Sequence, residues 1–159
     1  DVYKRQNIYG PNDNYHLEDA HVVPALIHKA YIAKKNNESL KVRGSGSPLR
    51  QFIYSDDLAK LILWYLLEIE SNETLILSVG EDDEVSIGNV ASIIAQENEI
   101  DIEFEKQYSD GQFKKTADNK KLLKLYKEST GENIKFTPIN TGLKEAIRWF
   151  VNNFDNCRK

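Results

Sequence analysis

Apolar side chains at Val22, Ala25, Leu26, Ala30 and Ala33 recur at helical spacing from residue 21 to about 36, with Pro24 tolerable because it falls in the first turn. The pattern predicts an amphipathic helix. Ahead of it, a short β-type run at Ile8 and Tyr9 stops at Gly10-Pro11, and a loop rich in Asn and Asp carries the chain to His21. The segment "SLKVRGSGSPLRQFIY" predicts two short strands around a Gly-Ser-Pro turn, and Ser55-Asp56-Asp57 offers N-cap chemistry for a helix over about 57–69. "TLILSV" (74–79) is a continuous β-rich run suited to burial on both faces. A helix from Ser86 to about Asn98, a strand in "IDIEFE", a helix to about Lys127, a strand near Lys135-Phe136 and a closing helix with Leu143, Ile147, Phe150 and Val151 complete the order. Strands alternating with helices argue for an α/β or α+β fold, and no Gly-rich turn joins a strand to a helix as a complete dinucleotide-binding fold requires.

A length of 159 residues suits one globular domain or a piece of a larger one. The net charge of −4 gives no general reason to bind nucleic acid, so an anionic ligand would need a local basic cluster. Cys157 is the single cysteine, which leaves no intramolecular disulfide or cysteine metal site and fits a reducing, cytosolic setting. The longest apolar stretch, "LAKLILWYLL", is interrupted by Lys60 and too short to span a bilayer. The chain carries no signal-peptide pattern, P-loop or metal-ligand set, and the expectation is a soluble protein.

His21 and Lys29 are eight residues apart, about 12 Å of rise on a continuous helix, and could address two ends of one elongated ligand. His21 could equally cap or pack a helix start, a reading that applies more strongly to His16 and His28. Arg43 and Arg50 flank a Gly-Ser turn whose amides could approach an anion, and arginine suits the fork geometry of phosphate recognition. The alternative is two surface arginines on a hairpin. Asp110-Gly111 beside Lys114 and Lys115 repeats the theme more weakly, since a solvated loop explains it as well.

Taken together, "NIYGPNDNYHLEDAHVVPALIHK", "GSGSPLRQFIYSDDLA", "LSVGEDDEVSI" and "SDGQFKKTADN" resemble the C-terminal half of the GDP-L-fucose synthase family, extended short-chain dehydrogenase/reductases. The resemblance runs from residue 7 to about 159. It implies an α/β fold, the C-terminal nucleotide-sugar-binding portion with late strands of a Rossmann sheet over 7–159, with the N-terminal Rossmann half missing and residues 1–6 a non-native leader. It implies 3,5-epimerisation and NADPH-dependent 4-reduction of a GDP-4-keto-6-deoxy sugar by a cytoplasmic homodimer.

The family's NADPH contacts match Asn7, Ile8 and His21, and its catalytic histidine matches His21. Lys29, Arg50 and Asp110 match positions that bind the GDP-sugar. Arg43 stands where the family usually has tryptophan, an exchange of stacking for ion pairing. The Gly-rich cofactor turn, catalytic cysteine and catalytic Tyr-x-x-x-Lys set are implied to lie outside this chain, which would leave it inactive alone. Two rivals remain open: another nucleotide-sugar epimerase or dehydratase of the superfamily, and a non-catalytic module that kept a sugar-nucleotide pocket.

Overall fold

A computed structural model describes residues 7–70 and 73–159; the leader assigned to residues 1–6 lies outside the described residues. In chain order the elements are β1 (Asn7–Tyr9), α1 (Val22–Asn36), β2 (Leu40–Arg43), β3 (Leu49–Arg50), β4 (Phe52–Tyr54), α2 (Ser55–Glu68), β5 (Val85–Ser86), α3 (Ile87–Asn98), β6 (Ile102–Glu105), β7 (Lys114–Lys115), α4 (Lys120–Thr130) and α5 (Ile139–Asn152). The α/β alternation expected from the periodicity is present.

The segment 39–54 departs from expectation. It forms three strands, and no two of them pair with each other. β2 runs parallel to β6, β3 lies antiparallel to β5 and parallel to β7, and β4 runs parallel to β1. Arg43 and Arg50 therefore do not share a hairpin. Positive φ at Gly44 and Gly46, +87° and +77°, swings the chain from one sheet to the next, and a Cβ on Gly46 would collide with the Phe104 ring.

The main core is a three-helix layer. Leu26, Ile27 and Ala30 of α1, Val90 and Ile94 of α3, and Leu143 and Phe150 of α5 close on one another and on Leu40 and Val42 of β2. A smaller cluster gathers Ile53, Leu61, Trp64, Val79 and Leu122 between α2 and α4. Most side chains that the helical spacing placed on one face are buried here, but Val22 and Ala25 are only half-buried and Val151 faces outward, 45% exposed.

Three local expectations are corrected. Helix α2 starts at Ser55 with Tyr54 as its N-cap and no side-chain cap, because the Asp57 carboxylate instead accepts from the Thr137 N–H at 2.6 Å and from Thr137 Oγ1 at 3.1 Å. Residues 74–79 form no strand and join no ladder among the described residues, and Ile76 is exposed. No strand forms at Lys135-Phe136. Helix α3, expected from Ser86, starts at Ile87 with Ser86 as its N-cap, the Ser86 Oγ accepting from the Asn89 N–H at 3.0 Å.

Candidate functional site

The parallel pair β1–β4 ends at Tyr9 and Tyr54, and the residues that follow, Gly10 and Ser55, meet at the strands' carboxyl ends. Crevices outside that edge are where open α/β sheets place ligands. A Cβ on Gly10 would collide with Ser55 Oγ, so the close approach requires glycine. A cleft of about 440 Å³ opens here, lined by Asn7, Ile8, Gly10, Asp13, His21 and Ser55 among others.

The loop from Gly10 to His21 is held by a single buried side chain. Tyr15 donates its hydroxyl to Gly10 O at 3.1 Å and its N–H to Arg158 O at 2.8 Å, while its carbonyl accepts from His28 Nδ1 at 2.8 Å. That contact assigns the proton to Nδ1 of His28. The Tyr15 ring stacks on Trp149 and packs on Phe150. His28 is thus a packing histidine, and His16 sits at the surface 3.6 Å from Asp19. His21 is neither buried nor a side-chain cap: extended at φ −66°, ψ 167°, it precedes α1 and its exposed imidazole borders the cleft. Asp13 lines the same cleft; burial raises its pKa, opposed by its bond from the Asn14 N–H and by the charges of His21 and Arg158.

A second pocket, about 230 Å³, adjoins the first through Asn7 and is lined by Arg43, Arg50, Ser109 and Asp110 together with Val22 and Ile87. Segments as far apart as 7, 43–50 and 109–110 therefore share one cavity wall. Lys29 lines neither cavity. It is half-buried on α1, and its pKa is lowered by burial and by Arg43, with Glu105 opposing.

The two arginines are engaged differently. Arg50 donates Nη1 to Leu49 O at 2.7 Å and to Phe113 O at 3.3 Å, and Nη2 to Gln112 O at 2.7 Å, which ties β3 to the strand edge of β7. Arg43 lays its guanidinium over the Tyr108 ring, 4.9 Å from the centroid. The Asp110 carboxylate accepts from the Ser45 N–H at 2.6 Å and from Ser45 Oγ at 2.7 Å, bonds that hold its pKa below the ordinary value. Asp110 thereby closes the Asp-Gly loop onto the glycine turn.

Arg50→Ala should free the Gln112–Phe113 backbone, and because a lysine ammonium cannot match the fork, Arg50→Lys should not restore it. The expected readout is faster hydrogen exchange at the Leu49 N–H, which donates to Phe113 O at 2.8 Å. Exchange unchanged in both variants would show that the loop is held without Arg50.

The profile described as the NAD dependent epimerase/dehydratase family matches residues 3–80, and the GDP-L-fucose synthase of Dictyostelium discoideum is 52% identical over 155 residues, covering 96% of this chain and 47% of that protein. The chain belongs to the NAD-dependent epimerase/dehydratase family. GDP-L-fucose synthase 1 of Arabidopsis thaliana is 34% identical over 94% of the chain and 45% of its own length. Within the family, the GDP-L-fucose synthetase of Naegleria fowleri solved bound to NADP superposes with a TM-score of 0.89 at 41% identity, over 96% of this chain and 45% of that one. The chain spans about half the length of the curated relatives it matches.

The Tyr-x-x-x-Lys spacing does occur in the chain, at Tyr31 and Lys35. Tyr31 packs on Phe150 and Phe154, and Lys35 Nζ lies 4.5 Å over the Tyr31 ring. The pair starts ten residues beyond His21, roughly 15 Å of helical rise, and lines neither cavity. Spacing alone does not make it a catalytic pair.

Three positioning residues escaped sequence reasoning: Tyr15, Ser45 and Gln51. Gln51 is buried, donates Nε2 to Val79 O and Ala117 O, each at 3.0 Å, and accepts from the Ala117 N–H at 2.7 Å. A glutamine inside the otherwise apolar "QFIY" is a signal that could have found it. Tyr15 and Ser45 carry none, because their partners at Arg158 and Asp110 lie far along the chain.

Proposed function

We propose that this chain supplies the nucleotide-sugar-binding part of a GDP-L-fucose synthase about twice its length, converting GDP-4-keto-6-deoxy-D-mannose to GDP-L-fucose with NADPH. The observation that carries the reading is the pair of adjoining cavities sharing Asn7, one bordered by His21 and the other by Arg43, Arg50 and Asp110. Asn7, Ile8 and His21 fit a nicotinamide edge: Ile8, 43% exposed, offers an apolar face beside the polar rim of Asn7 and Asp13. When bound, that cofactor supplies hydride to C4 of the sugar.

This chain's residues bind, orient and move protons. The C4 ketone acidifies the hydrogens on C3 and C5, so a base that removes one and an acid that returns it on the opposite face invert each centre through an enolate. His21 is the group placed to exchange that proton, and histidine as a residue type does so near neutral pH. The basic wall of the second pocket takes the GDP diphosphate, so binding energy far from the reacting carbons orients the sugar. Lys29 adds positive charge behind that wall. The catalytic Tyr-x-x-x-Lys set and cysteine then belong to the remaining half, and the assembled enzyme is a cytoplasmic homodimer.

The test is turnover by the full-length protein. With the 4-keto-6-deoxy sugar nucleotide and NADPH, absorbance at the nicotinamide band should fall in step with GDP-L-fucose formed. Preferential turnover of a uridine-linked sugar would favour a different epimerase or dehydratase of the family. Tight GDP binding without turnover would favour a non-catalytic module.

A further inference from the structure

β2 alternates strictly, with Leu40 and Val42 inward and Lys41 and Arg43 outward, so its last residue, Arg43, emerges on the solvent side just before the Gly44-Ser45-Gly46 turn. In register it stands opposite Glu105 of β6. Three residues on, Tyr108 donates its N–H to Glu105 O at 3.1 Å, a turn that brings its ring back against the Arg43 guanidinium. The chain then continues directly into Ser109 and Asp110 on the pocket wall.

The charged groups of that wall differ in what they have left to offer a ligand. Arg50 has its two terminal nitrogens committed to three backbone carbonyls. Asp110 has both oxygens on Ser45. The Arg43 guanidinium makes no hydrogen bond or ion pair among the described residues, and it lies with one face over the Tyr108 ring. A guanidinium stacked by one face keeps its N–H donors at the edge, in the fork that matches phosphate oxygens.

We propose that Arg43 is the arm of this pocket that grips the ligand's diphosphate, and that Tyr108 is the positioning residue that holds its guanidinium in the plane required. The proposal rests on the reading of the cavity as a nucleotide-sugar site. Tyr108, 44% exposed, has a role on this view that its surface position would not otherwise explain. It also accounts for an arginine at position 43: the aromatic surface comes from the neighbouring loop, and the charge from the strand.

A double-mutant cycle on the full-length protein, read as the Kd for GDP by calorimetry, tests it. Arg43→Gln should weaken GDP binding about tenfold or more, the loss of a charge-assisted contact. Tyr108→Ala should weaken it roughly five- to tenfold, within the range of a cation–π contact that also orders the side chain, and Tyr108→Phe should stay within about twofold of wild type. The double variant should bind no more weakly than Arg43→Gln alone, because Tyr108 acts only through Arg43. The salt dependence of binding should flatten in Arg43→Gln and stay flat in the double variant.

In turnover, Tyr108→Ala should raise KM while kcat changes by less than about twofold, a split that general unfolding does not produce. If the wild-type protein binds GDP but the two substitutions multiply, or Tyr108→Ala binds as well as wild type, the positioning role is wrong while the site reading stands. Failure of the wild-type protein to bind GDP at all overturns both.

Discussion

His21→Asn in the full-length enzyme is expected to slow epimerisation by roughly 10²–10⁴-fold, the usual contribution of a positioned general acid or base. The expectation rests on where the imidazole sits. It is exposed at the cleft, does not cap α1 with its side chain, and is not buried as His28 is. A histidine that only packed would show the opposite. Solvent deuterium incorporation at C3 and C5 of the sugar, followed by NMR, separates proton exchange from hydride transfer, and NADPH binding should survive the substitution. If exchange continues at the wild-type rate while only cofactor affinity drops, His21 is a binding residue and the proton-transfer role falls.

The placement that makes this role possible was legible only in part from the residues. Local signals sufficed where one segment decides its own structure. Apolar spacing found α1, α3 and α5. The segment 39–54 is not legible in this way, because strands adjacent in sequence need not be adjacent in a sheet. Its three strands have partners at residues 7–9, 85–86, 102–105 and 114–115, and no short-range pattern encodes that choice. Residues 74–79 show the reverse error. Their β-rich composition is real, but propensity alone makes no ladder: Leu75, Leu77 and Val79 share a cluster with Ile53 of β4 without pairing to any described strand.

The site divides along the same line. His21, Arg43, Arg50 and Asp110 could be picked as chemistry-bearing types near turns, and the structure brings Arg43, Arg50 and Asp110 to one cavity and His21 to the next. What could not be read was how their bonding capacity is spent. The Arg50 fork is turned to backbone carbonyls, and Asp110 to Ser45, 65 residues away in sequence. Residue type states what a side chain can donate or accept. Only the fold states what it has already given.

The largest loss of stability is expected on removing the floor beneath the His21 loop, at Phe150. This ring is fully buried and touches Tyr15, His28, Tyr31 and Phe154, with centroid separations from 4.5 to 5.6 Å. Truncation to alanine should cost about 3–5 kcal/mol, because the transfer energy of the ring is lost and three neighbouring aromatic rings and an imidazole cannot all shift to fill the space. Phe150→Leu should cost well under half as much, since it keeps more of the buried volume. Urea denaturation of the full-length protein measures both, with the midpoint falling and the slope unchanged if the unfolded state is unaffected. The loss should reach the site as well: Tyr15 rests on Phe150 and is the residue that pins Gly10 and Arg158, so the Gly10–His21 loop should exchange its amide hydrogens faster in Phe150→Ala than in Phe150→Leu. A loss below about 1 kcal/mol would mean that the aromatic cluster collapses freely around the missing ring, and Tyr15 would then owe its position to its hydrogen bonds alone.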